Sequence, residues 1–182
     1  LLKTIAGLLD YDGDILYNDK DFSEVDFEDR SLAYISQDIV LYPNLTIYDN
    51  IAFPLKGKKI SKKELDVAVK EIANKFGIYH CLTRHPKQLS VGQRHRVALA
   101  KALIRKPEVV LLDEPFSSYD NGTKSEILPY LKDFLKDNNT IVILVTHNLS
   151  EANYLGDYIY SISEGKTILE GEKEEVIKNL YL

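Results

Sequence analysis

The sequence predicts an α/β fold in which a mostly parallel sheet is flanked by helices, and three observations carry that prediction. Val109-Val110-Leu111-Leu112 is a continuous apolar run, as expected of a parallel strand covered on both faces. Residues 141–145, IVILV, form a second run of the same kind. Between the two, Leu128, Leu131 and Leu135 recur at helical spacing, so the pattern changes from strand to helix and back to strand.

The other elements can be placed in chain order. Leu1, Leu2, Ile5, Ala6 and Leu9 fall on one helical face, after which Gly7 and Asp12-Gly13-Asp14 end the helix and turn the chain. A short strand is expected at 15–17, and the acidic residues 21–30 read as a surface loop or a short helix. Residues 31–36, SLAYIS, read as a strand that delivers Gln37. Ser61 and Glu64 form a capping-box pattern; Leu65, Val69, Ile72 and Phe76 follow at helical spacing and Gly77 supplies the stop. This amphipathic helix should run about four turns and turn its apolar stripe inward.

A helix at 121–137 contains Pro129, which predicts a kink or local break, because proline removes an amide donor and crowds the preceding turn. The strand at 141–145 ends at Thr146-His147, and 148–156 reads as helical. Residues 157–163 and 166–170 form a hairpin turning at Glu164-Gly165, and 172–179 a short amphipathic helix. No internal repeat or low-complexity linker interrupts the chain.

At 182 residues and 45% hydrophobic the chain can bury a core as one domain, with room for an inserted subdomain. A net charge of -5, with basic residues scattered among acids, excludes a surface built mainly for nucleic-acid backbone. The lone Cys81 permits no internal disulfide, fits a reducing compartment, and reads as a small semi-buried side chain. Every apolar run falls far short of the roughly 18 residues that cross a bilayer, and no secretory signal is visible. The sequence opens inside a helical pattern and has no Met, which predicts a piece of a longer protein.

Two stretches carry chemistry. In Leu89-Ser90-Val91-Gly92-Gln93 a helix start offers backbone amides, a hydroxyl and the positive end of the helix dipole, an arrangement suited to an anion. Asp113 and Glu114 end the apolar run at 109–112. Taken singly, each has an ordinary alternative: a helix cap for the pentapeptide, a solvated loop start for the Asp-Glu pair, and structural roles for Gln37 and His147.

Their order and surroundings remove those alternatives. The motifs are Gln37 within QDIVLYPNLTIYDNIAF, the LSVGQ pentapeptide with RVALAKAL after it, VVLLDE with PFSSYD after it, and Thr146-His147 with Glu151-Ala152. Together they closely resemble the ATP-binding cassette (ABC) ATPases of importer type, over essentially the whole chain. The resemblance implies a P-loop NTPase-like ABC nucleotide-binding domain. Residues 1–42 and 107–182 would form its nucleotide-binding core, and 43–106 an inserted helical lobe that carries the signature and contacts transmembrane subunits.

The resemblance also assigns roles. Asp113 and Gln37 would hold Mg²⁺, Glu114 would polarise the attacking water, and His147 would contact the γ-phosphate. Ser90, Val91, Gly92 and Gln93 would meet ATP held by a second subunit, and Asp120 would link the two sites across a head-to-tail dimer, a homodimer in the simplest case. Three positions depart from the family pattern: Val91 replaces a glycine, Tyr119 a leucine and Asn148 an aspartate.

One family motif, the Walker A phosphate loop, is missing from the sequence as given. Gly165-Lys166-Thr167 lacks the first glycine, which falls at Tyr160, and Gly57-Lys58 fails too. The expectation is that the loop sits immediately before Leu1, and that residues 1–182 alone are poorly stable and inactive while the parent protein hydrolyses ATP. That parent would be the ATP-binding subunit of an importer, cytoplasmic and peripheral on the inner face of the membrane, with permease subunits and no nucleic acid as partners. Two other functions compete: a degenerate non-catalytic subunit offering its signature to a partner's ATP, and a soluble ABC ATPase of DNA repair or translation.

Overall fold

Glycine fixes the first element. The N-terminal helix α1 (Leu2–Ile5) stops after one turn because Gly7 adopts φ +74°, its amide bonding the Thr4 carbonyl. Leu2 and Ala6 are buried, but Leu1 and Leu9, expected on the same face, are exposed. The helix ends too early to carry Leu9 round. The computed structural model describes residues 1–21, 25, 31–36, 40–117, 119–138 and 140–180. Most of the expected loop at 21–30 therefore lies outside the described residues. A two-stranded hairpin, β1 (Leu16–Tyr17) with β2 (Lys20–Asp21), precedes it, and the second of these strands was not anticipated.

Strands β3 (Leu32–Ser36), β4 (Val109–Asp113) and β5 (Ile141–Val145) form a parallel sheet in that order. The pairing sets Ser36, Asp113 and Val145 side by side at its carboxyl edge. Each face is apolar. One face presents Ala33, Ile35, Val110 and Leu112 to the main core, and the other presents Leu32, Tyr34, Val109 and Leu111 to Leu2 and Ala6. This two-sided burial is what the unbroken apolar run of β4 requires.

Helices α2 (Ile47–Ala52), α3 (Lys62–Lys75), α4 (Val91–Leu103) and α5 (Asn121–Asp137) contribute the rest of the main core. Ser61 caps α3 through the expected box: its hydroxyl accepts from the Glu64 amide, and the Glu64 carboxylate from the Ser61 amide. Gly77 ends it at φ +62°. Buried Asn50 ties the approach to α2, donating to the carbonyls of Tyr42, Leu45 and Thr46 while accepting from the Tyr42 amide. Cys81 is fully buried, more than expected, and burial pushes its thiol pKa up.

Helix α5 runs unbroken through Pro129, so the expected break does not occur. Pro129 and Ser125, four residues before it, both lie on the exposed side, where water can satisfy the carbonyl that loses its donor. The chain closes with α6 (Leu149–Leu155), the hairpin of β6 (Tyr158–Ser163) and β7 (Lys166–Glu172), and α7 (Lys173–Leu180). Glu164 and Gly165, at φ +48° and +76°, make the tight two-residue turn.

Candidate functional site

The sheet's carboxyl edge gathers one group of candidate residues. Asp113 is the last residue of β4, and the Tyr34 hydroxyl on β3 donates to its Oδ2 at 2.5 Å. Burial, and then the neighbouring carboxylate, push the Tyr34 hydroxyl up to about 12. Tyr34 therefore remains a donor to Asp113 Oδ2. Gln37, directly after β3, lies outside the described residues.

Glu114 follows in a left-handed conformation, φ +45°, uncommon for a residue with a side chain. Its amide donates to the Val145 carbonyl at 2.9 Å, and its carbonyl accepts from the Ser117 amide and hydroxyl. Backbone bonds on both sides thus hold the turn, and the Glu114 Oε2 stands 3.4 Å from His147 Nδ1. Both side chains are well exposed, so a water or substrate can reach either.

His147 sits in a tightly bonded loop. The Thr146 hydroxyl donates to Glu151 Oε2 at 2.6 Å and accepts from the Asn148 amide at 3.0 Å. Asn148 caps α6 through its own side chain, accepting from the Ser150 and Glu151 amides. An aspartate would cap the helix equally well, so the asparagine costs little here. Buried Glu151 also pairs with Lys124 Nζ of α5 at 2.7 Å.

The second group stands at the start of α4. Ser90 is its N-cap: the Ser90 hydroxyl accepts from the Gln93 amide and the Gln93 side chain accepts from the Ser90 amide. This box engages Gln93 internally and leaves the Val91 and Gly92 amides outside it, at the positions where helix donors are orphaned. Val91 is exposed and Gly92 buried. A methyl built on Gly92 would lie 3.4 Å from Glu126 Oε2 and 3.8 Å from Thr123, ordinary contact, so packing does not demand glycine.

Asp120 begins α5 as its N-cap, accepting from the Thr123 amide and hydroxyl, bonds that hold its carboxyl below the usual aspartate value. Tyr119, just before it, is buried and stacks on His95 of α4, with ring centres 3.7 Å apart. The loop before α5 thus packs directly against the helix that Ser90 caps. Burial, with the Arg94 charge, holds the His95 imidazole below its ordinary pKa. No hydrogen-bond partner is found for His95 Nδ1 or the Tyr119 hydroxyl among the described residues.

The structure therefore brings Asp113, Glu114 and His147 together, and sets Ser90, Val91, Gly92 and Gln93 apart as a separate helix start. Sequence reasoning missed Tyr34 and Lys124 and used Glu151 only as context for His147. The residue types at 34 and 124 carried no signal, because their partners are 79 and 27 residues away.

Such a fold, with carboxylates and a histidine at the carboxyl ends of parallel strands, places its chemistry where open α/β sheets bind ligands. Comparison with known proteins narrows that class. The family model described as ABC transporter matches residues 1–117. The molybdate/tungstate import ATP-binding protein WtpC of Pyrococcus abyssi is 44% identical over 98% of this chain and 52% of its own length. The trehalose/maltose import ATP-binding protein MalK of Thermococcus litoralis is 40% identical over 96% of this chain and 49% of its own length. In fold, the chain is similar to CbiO1 of Clostridium perfringens, part of the ABC transporter complex CbiONQ. The TM-score is 0.86 and the identity 27%, over 98% of this chain and 73% of that one. The chain belongs to the ABC transporter family, and it spans about half the length of those two import proteins.

Proposed function

We propose that the chain is the catalytic part of the ATP-binding subunit of an ABC importer, working with Mg²⁺. The observation that carries this reading is the approach of Glu114 to His147 beside Asp113 at the edge of the sheet. Glu114 acts as the base that polarises the attacking water, and His147, within reach of its carboxylate, keeps that water and the terminal phosphate in register. Glu114 sits at φ +45° with its carboxylate 3.4 Å from the His147 ring.

Among the described residues no three His, Cys, Asp or Glu side chains cluster as metal ligands. Mg²⁺ keeps several waters and takes one or two carboxylates together with phosphate oxygens. Asp113, with one oxygen held by Tyr34, is the residue of this chain that would bind it, with Gln37 as a second ligand. Bound there, Mg²⁺ supplies charge neutralisation at the transferring phosphoryl group.

Ser90, Val91, Gly92 and Gln93 serve the ATP of a second subunit. Ser90 and Gly92 face its phosphate, and Gln93 keeps the cap in shape. Asp120 joins the two sites across a head-to-tail dimer. Residues 43–106 make the helical lobe that meets permease subunits, and residues 1–42 and 107–182 the nucleotide-binding core. Among the described residues no helix is long and apolar enough to cross a membrane. The proposed subunit lies on the cytoplasmic face, held there by its permease. Molybdate and tungstate are the first solutes to assay, given the name of the relative at 44% identity.

The test is Glu114→Gln in the protein expressed from its full reading frame. ATP turnover should fall about 10²–10⁴-fold while ATP still binds. Undiminished turnover would remove Glu114 from the reaction and this reading with it.

A further inference from the structure

Glu151 is 3% exposed, and a buried carboxylate is costly unless fully partnered. Both its oxygens are used: Oε1 takes Lys124 Nζ at 2.7 Å, and Oε2 takes the Thr146 hydroxyl at 2.6 Å. Lys124 lies in the first turns of α5, the helix capped by Asp120, and its side chain is only 14% exposed. Thr146 immediately precedes His147, and its oxygen also accepts the Asn148 amide. The backbone is therefore pinned on both sides of His147, and through Lys124 to α5. His147 itself is left exposed, facing Glu114.

We propose that Lys124, Glu151 and Thr146 form a strut of positioning residues that fixes His147 opposite Glu114 and ties that placement to α5. The proposal rests on the catalytic reading given above. None of the three touches the reacting atoms; they act through His147. A displacement of α5 at its Asp120 end is transmitted along the strut to the histidine, so the state of one dimer contact sets the readiness of this chain's own site.

The role can be separated from simple stabilisation. Removing one partner of a buried ion pair leaves an uncompensated charge, whereas replacing both by apolar residues is often neutral or stabilising. Lys124→Met should therefore lower thermal stability, and Lys124→Met/Glu151→Met should restore it. The strut predicts that the double variant still turns over ATP more slowly, by about tenfold to a hundredfold for a misplaced group, with KM for ATP little changed. Lys124→Arg should recover most of kcat. A double variant that regains kcat along with its stability would overturn the proposal.

A second readout does not depend on turnover. The His147 ring signals in proton–nitrogen correlation spectra should shift or broaden in Thr146→Val and in the double variant while the rest of the spectrum is retained. Ring signals identical to those of the unmodified protein would also overturn the strut. If the unmodified protein fails to hydrolyse ATP, the functional reading falls, and the spectra still decide whether the strut positions His147.

Discussion

At Gly92 it is the backbone, not the missing side chain, that is proposed to bind. Its backbone is helical and an added methyl meets only ordinary contacts. Gly92→Ala should therefore leave thermal stability unchanged or raise it, by up to about 1 kcal/mol. The methyl would meet Glu126 and Thr123 of α5 in the same chain, whereas the proposed phosphate contact is made by the backbone amide, so ATP-driven association of two subunits should be retained. Thermal unfolding and size-exclusion chromatography with ATP check both halves, and lost association would show that the phosphate approaches on the methyl's side. Tyr34 makes a pH-dependent prediction. Its folded pKa, raised by burial and by Asp113 from 10.0 to about 12, favours the neutral hydroxyl. The stability this contributes is fully present below pH 10 and is lost as pH rises through about 12. Denaturation curves across that window should fall for the unmodified protein and fall less steeply for Tyr34→Phe, the other raised tyrosines keeping part of the slope.

At the scale of elements, the segments readable in advance were those whose information is local. The apolar runs of β4 and β5, the helical spacing of α3 and the Glu164-Gly165 turn each hold their signal within a few residues. Misjudged features depended on surroundings: Leu9 was lost to a glycine that ended α1 early, and Pro129 was tolerated because its side of α5 faces solvent. The site divides in the same way. Periodicity locates the strand ends and the family resemblance singles out Asp113, Glu114 and His147 there, whereas Tyr34 and Lys124 matter through partners that only the folded chain brings near. Local determinants can be tested singly. Ser61→Ala removes the hydroxyl that caps α3 and should destabilise the protein by about 0.5–2 kcal/mol, read from urea denaturation. A loss near zero would mean that tertiary packing alone holds that helix end.

Across the whole molecule, one continuous hydrophobic cluster joins the helices of residues 43–106 to the sheet, linking Ile51, Val69 and Phe76 with Val110, Leu112 and Phe134. Phe76 of the α3 cap and Phe134 of α5 pack with ring centres 5.9 Å apart. The Asp120 and Lys124 of α5 therefore move with a helix anchored in the same core that holds α3. The sheet is less complete at its margin. Among the described residues β5 is hydrogen-bonded to β4 alone, and Ile141 and Val145 at its ends are 51% and 38% exposed. So apolar a strand with one described neighbour offers its other edge as the place where a further strand of the sheet would pair.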